Sequence, residues 1–245
     1  MRINWELKYS KKRSLVFNLS LFRKDKPRKD YITPKEIPMD RKVFCIGFAK
    51  TGTTSLEAVL KEFGYKLGNQ PAAEMLCEDW YHKRSDRIIN YCYTANAFQD
   101  IPFNMPGLYK ELDSHFEGSK FILTVRKNEE VWFNSLIKFH SKIFAKDGKT
   151  QCTLEELKNA PYRHRGWALD TQQYFFDYQS THLYDQEKYK STYLNHIKDV
   201  ENYFKDRPDD LLVLNVSEKG AYKRLAQFLN IEVEEGIDFP WLNKT

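Results

Sequence analysis

The sequence predicts an α/β fold around a mostly parallel β-sheet. Three observations carry the prediction. The runs "KVFCIGF", "KFILTV" and "LLVLNV" have the length and apolar continuity of buried strands. Segments with apolar residues at helical spacing lie between them. Strand and helix signals alternate from Arg41 onward, the order of β–α units that build parallel sheets.

In order, "KVFCIGF" leads into a helix over Thr53 to Phe63, with Leu56, Val59, Leu60 and Phe63 on one face and Gly64 as its stop. "AFQDIPF" reads as a strand end broken by Pro102, and Leu108 to Phe116 as a helix. "KFILTV", Lys120 to Val125, is the clearest buried strand, followed by a helix over Glu129 to Phe144. Lys146 to Arg165 is polar and irregular. Helices are expected around Trp167 to Leu183 and Lys188 to Lys205, the second carrying a core stripe of Tyr193, Ile197, Val200 and Phe204. "LLVLNV" and a helix over Tyr222 to Leu229 close the pattern.

The 245 residues suffice for one large domain with a core, assigned to 41–245. Residues 1–40 form a basic extension and linker. "KYSKKRSLVFNLSLFRKDKPRKD" reads first as a solvated extension packing Leu15, Phe17 and Leu21 on the domain. Weak peripheral contact with a membrane surface or an acidic partner is the other reading. Hydrophobic residues at 41 % and aromatics at 15 % exclude a disordered chain. The net charge of +5 suits an anionic ligand but lacks the regular aromatic interleaving of a nucleic-acid binder. No apolar run reaches the ~20 residues of a membrane span. Four cysteines without metal spacing, and no secretory signal, point to reduced thiols in the cytoplasm.

The chemistry starts in "FCIGFAKTGTTSLEAVL", Phe44 to Leu60. Gly47 and Gly52 have the spacing of the G-x-x-x-x-G-K-[ST] phosphate loop, but Thr53 stands where its lysine belongs, and Lys50 precedes the second glycine. Strand, glycine turn and helix N-terminus still form an anion site from backbone N–H groups and helix dipole. Thr53 and Thr54 add hydroxyls, and Lys50 adds a mobile charge. The missing lysine argues against ordinary ATP or GTP hydrolysis, and no strand-terminal acid stands out for Mg²⁺.

This loop resembles the 5′-phosphosulfate loop of the sulfotransferases that use 3′-phosphoadenosine 5′-phosphosulfate (PAPS). "GSKFILTVRKNEEVWFNSL", Gly118 to Leu136, resembles their 3′-phosphate motif, and "DDLLVLNVSEKGAYKRLAQFLNIEVEEGIDFPWLN" a C-terminal ending found in one branch. The resemblance spans roughly Lys42 to Asn243. It implies a three-layer P-loop NTPase-like fold and sulfuryl transfer to a hydroxyl or amine of a small molecule or carbohydrate, with no metal. By the same resemblance Lys50 stabilises the leaving phosphate, Thr51, Gly52, Thr53 and Thr54 hold the 5′-phosphate, and Arg126 with Ser135 holds the 3′-phosphate.

Two departures stand out. Many members place the serine eight positions after the arginine; here Asn134 is at eight and Ser135 at nine, and Ser135 is favoured. Ser55 replaces the adenine-stacking tryptophan, leaving Trp80, Trp132 and Trp167 as candidate platforms. Asp100 in "QDIP" matches the family's catalytic histidine and is the first candidate base; a turn-capping role is its alternative. Glu57 and the histidines His82, His140 and His164 are further candidates. Tyr81, Tyr91, Tyr93, Tyr162 and Arg163 lie in the segments expected to shape the acceptor pocket. A small-molecule or nucleotide kinase, and an inactive binding module on the same fold, are the competing functions.

Overall fold

The computed structural model describes residues 37–240 and Leu242; the readings of the basic extension lie outside the described residues. Among the described residues the order begins with strand β1 (Val43–Cys45) and helix α1 (Thr53–Glu62). Short helices α2 (Gln70–Glu74), α3 (Cys77–Tyr81) and α4 (Ser85–Tyr91) lead to β2 (Ala97–Phe98) and α5 (Leu108–His115). Then come β3 (Lys120–Thr124), α6 (Glu129–Phe144), α7 (Leu154–Asn159), α8 (Trp167–Phe176) and α9 (Gln186–Phe204). Strand β4 (Leu211–Leu214) and helix α10 (Ala221–Phe228) complete the order.

The four strands among the described residues are all parallel, in the order β2-β1-β3-β4. Alternation along each strand sends side chains to two faces. Phe44, Phe121 and Leu123 pack with α4, α5 and the end of α9, where Val200 and Phe204 are buried. Val43, Cys45 and Ile122 pack with Leu56, Val59 and Leu60 of α1 and Leu225 of α10. Helices on both faces of a parallel sheet make the three layers expected. Truncating a fully buried member such as Leu56 to alanine costs about 2–5 kcal/mol on this geometry.

Lys42, just before β1, is only 4 % exposed. Its ammonium donates to Cys92 O at 2.8 Å and Ala95 O at 2.7 Å, tying the turn before β2 to the sheet.

Three expectations change. The helix expected to reach Leu183 ends at Phe176. Asp177 enters the left-handed region at φ 49°, and its Oδ1 accepts from Gln173 Nε2 at 2.7 Å. The segment expected to be irregular contains α7, started by a capping box between Thr153 and Glu156. Strand β2 is two residues long, because Asp100 also takes a left-handed φ of 60° ahead of Pro102.

Candidate active site

In this strand order the connections from β1 and β3 leave in opposite directions, so the switch point lies between their carboxyl ends. Lys50 follows β1 and Arg126 follows β3, which brings the two sequence motifs to that crevice. A third aromatic cluster, including Phe48, Trp132, Trp167, Phe176 and Tyr193, fills the space beside it.

The loop from Gly47 to Gly52 is held tightly. A Cβ on Gly47 would collide with the backbone of Thr124, so glycine is what lets β1 pass β3 here. Gly52 has φ 108° and faces Val216, which leaves no room for a side chain. It precedes α1, and the helical ladder begins with Leu56 N–H to Gly52 O at 3.0 Å. The amides of Thr53, Thr54 and Ser55 come before that ladder and have no helical carbonyl to reach. Thr51 is fully buried. Its N–H and hydroxyl both donate to Phe48 O, at 3.3 and 2.6 Å, and its Oγ1 lies 2.5 Å from Thr124 Oγ1. Thr51 is therefore a brace of the loop, its donors turned inward. Ser55 donates to Pro240 O at 2.9 Å, which brings the chain's last segment to the start of α1.

Lys50 adopts φ 72°, and its ammonium stands 4.1 Å from the centroid of Phe139. Burial pushes its pKa down to about 8; Asp100 pulls it up, and the charges of Arg126 and Lys142 push it down further. Arg126 Nε donates to Lys50 O at 2.6 Å, and Trp132 Nε1 to Ala49 O at 3.0 Å. Behind them the ring of His196 stacks on Phe48 at 4.6 Å, and its Nε2 is 2.8 Å from Ile46 O. Burial lowers the His196 pKa to about 4, so the neutral ring donates this bond. Three carbonyls of the loop region are thus gripped from β3's end, α6 and α9.

Beside the loop opens a cavity of about 110 Å³. Its walls are largely aromatic, with Phe48, Phe139, Phe144, Tyr162, Phe175 and Phe176 prominent. Its polar lining includes Glu74, Asp100, Asn104 and His140. Asp100 caps the turn that follows: its Oδ1 accepts from Ile101 N–H at 3.0 Å and Asn104 Nδ2 at 3.2 Å. Desolvation raises its pKa, opposed by those bonds and by the charge of Lys50. The capping role and a place at the cavity therefore coexist in one side chain. Glu74, 6 % exposed, forms an ion pair with Arg163.

The other candidates scatter. Glu57 lines a separate small pocket with Leu67, Tyr91 and Phe103. His82 and His164 are exposed, whereas His140 is 7 % exposed and lines the cavity. Ser135 is buried on α6, while Asn134 points outward to Glu130 at 3.1 Å. Trp132 and Trp167 are core residues, 1 % and 5 % exposed, with their N–H groups on Ala49 O and Glu74 O. Sequence reading missed the bracing by Trp132, Tyr193 and His196; Tyr193 gave only the signal of a core stripe.

Fold and site define an open parallel α/β protein with a glycine loop and a helix N-terminus at the switch point. The chain matches the sulfotransferase domain family over residues 42–245 and belongs to that family. No curated protein matches it. Among the described residues, no helix is long and apolar enough to cross a membrane.

Proposed function

We propose that this chain is a cytoplasmic sulfotransferase that moves the sulfuryl group of PAPS to a hydroxyl or amine of an acceptor seated in the aromatic cavity. The amides at the start of α1, with Gly52, Thr53 and Thr54, suit the 5′-phosphate end of the donor. Lys50 neutralises charge on the phosphate oxygen as the bridging sulfur–oxygen bond breaks. The guanidinium of Arg126, with Ser135 on α6, suits the 3′-phosphate. Asp100 takes the acceptor's proton as the new bond to sulfur forms.

The observation that carries this reading is the Arg126–Lys50 hydrogen bond of 2.6 Å. It joins the residues that the two halves of the donor would require, although 76 positions separate them in sequence. Calorimetric titration without Mg²⁺ tests the reading, comparing 3′,5′-ADP with 5′-AMP and ATP. Preference for 3′,5′-ADP, lost in Arg126→Ala, is expected. ATP binding that requires Mg²⁺, with no preference for a 3′-phosphate, would overturn it in favour of a kinase.

A further inference from the structure

We propose that His140 is a catalytic residue on the acceptor side, its Nε2–H holding the oxygen of an acceptor hydroxyl, so that the acceptor reacts as an uncharged alcohol or phenol rather than as an amine. This inference rests on the sulfuryl-transfer reading above.

Most donors around the cavity are already committed to the protein itself. Trp132 and Trp167 bond Ala49 O and Glu74 O. The Thr171 hydroxyl and Gln172 Nε2 both reach Ala168 O, at 2.9 and 3.4 Å. Asn104 Nδ2 is on Asp100. His140 differs. Its Nδ1 lies 2.8 Å from the Tyr184 hydroxyl, which leaves Nε2 for the cavity that the residue lines.

The proton on Nε2 follows from the partners behind the ring. Cys152 Sγ donates to His140 O at 3.1 Å, so the thiol proton is engaged there. The Tyr184 hydroxyl then chooses between an imidazole nitrogen and a sulfur, and nitrogen is much the stronger acceptor. Burial raises the Tyr184 pKa, which keeps that proton in place. The proposal takes the bond to run from Tyr184 O–H to Nδ1, so that Nε2 carries the ring proton. Burial, aided by the Lys50 charge, lowers the His140 pKa to about 3, so the ring is neutral at working pH.

A donor here selects the acceptor's chemistry. A hydroxyl oxygen has two lone pairs and one proton. One lone pair takes the His140 N–H and the other attacks sulfur. The proton passes to Asp100, where both existing bonds fall on Oδ1 and leave Oδ2 available. The bridging sulfur–oxygen bond breaks, and its electron pair leaves with the 5′-phosphate. A neutral amine has a single lone pair and cannot both accept from His140 and attack. An ammonium has none. The aromatic walls suit an apolar body behind that hydroxyl.

The test uses the full chain labelled with ¹⁵N-histidine, with His140 assigned by its loss in His140→Gln. Long-range ¹H–¹⁵N spectra should show a neutral Nε2–H tautomer from about pH 5 to 8. With 3′,5′-ADP present, 2-naphthol should shift the Nε2 resonance and benzylamine should not. His140→Ala should lower kcat/KM for 2-naphthol by about ten-fold or more, with 3′,5′-ADP affinity unchanged and partial rescue in His140→Gln, which keeps a donor. An Nδ1–H or charged ring, no response to 2-naphthol, or full activity in His140→Ala overturns the proposal. Failure of the wild-type chain to bind 3′,5′-ADP would instead remove the donor reading beneath it.

Discussion

Trp132 lies flat against Tyr193, ring centroids 4.5 Å apart and planes 4° from parallel. From this one stack, contacts reach both halves of the candidate site. Trp132 Nε1 holds Ala49 O in the loop after β1, and the Tyr193 hydroxyl accepts the backbone N–H of Arg126 at 3.0 Å after β3. Helices α6 and α9 thus hold the backbone beside Lys50 and Arg126 through aromatic packing.

Tyr193→Phe tests that coupling. The stack survives, but the Arg126 amide loses its acceptor in a part-buried setting. A loss of about 1–2 kcal/mol in unfolding free energy is expected, together with a several-fold weaker 3′,5′-ADP affinity. Denaturant unfolding and calorimetry check the two effects. Unchanged affinity in a clearly destabilised variant would show that the Tyr193–Arg126 bond supports the fold alone.

Asp100→Asn separates the cap from the base. The new side chain keeps an Oδ1 for Ile101 and Asn104, and asparagine tolerates the left-handed φ of 60°. Nucleotide binding should persist while transfer to a hydroxyl acceptor falls by about 10²-fold or more. Stability should move the other way. Desolvation raises the folded-state pKa of Asp100, so the ionised form costs stability above that pKa and the cost fades as pH falls through it. The variant should therefore melt higher than wild type at pH 7, by a margin that closes in acid. Equal transfer activity would clear Asp100 of the proton-acceptor role.

Local signals made the α/β order and the two segments that carry Lys50 and Arg126 legible. Helix α6 runs from Glu129 to Phe144 as its pattern indicates, and Asn128 caps it by accepting from Val131 N–H at 2.9 Å. Lys50 and Arg126 were readable because each sits at a fixed offset from a strand end. The end of α8 was not readable. Its apolar pattern continues past Phe176, and only the conformation of Asp177 stops it. Nor were the braces. His196 meets Ile46 across 150 positions, and His140 meets Tyr184 across 44. Such contacts leave no periodicity or spacing in the chain, and a lone histidine looks the same whether it braces a loop or faces solvent.

Gly47→Ala should be far costlier than an ordinary glycine substitution. The added Cβ would fall about 2.6 Å from Thr124 N and closer still to its carbonyl oxygen, backbone atoms that cannot turn away. Separating β1 from β3 to make room should cost roughly 3 kcal/mol or more. Gly118→Ala is the control: its φ of 76° is strained for alanine, but nothing lies within 4 Å, and about 1 kcal/mol is expected. Equal melting temperatures for the two variants would remove the claim that Gly47 is required by close approach.

On the proposed reading, Lys50 should set a basic limit on donor binding. Its folded pKa of about 8 lies below the ordinary 10.5, chiefly through burial. Only the ammonium attracts a phosphate, so affinity for 3′,5′-ADP should be flat from about pH 7, above the phosphate's second pKa of about 6, to about pH 8. Above that it should fall by up to ten-fold per pH unit, until the raised pKa of the bound state is passed. Lys50→Arg stays charged and should flatten that limb. Lys50→Ala should flatten it too, while lowering turnover by about 10²–10³-fold. Stability has the opposite sign. The depressed pKa means that the charged lysine opposes folding fully below pH 8, and this opposition fades as pH rises from about 8 towards 10.5. Lys50→Met should therefore stabilise the chain by roughly 1–3 kcal/mol at pH 7, an advantage that disappears in strong base. Calorimetric titration and thermal melts across the same pH series read both effects. A wild-type affinity that stays level to pH 10 would show that the charge of Lys50 does not reach the phosphate.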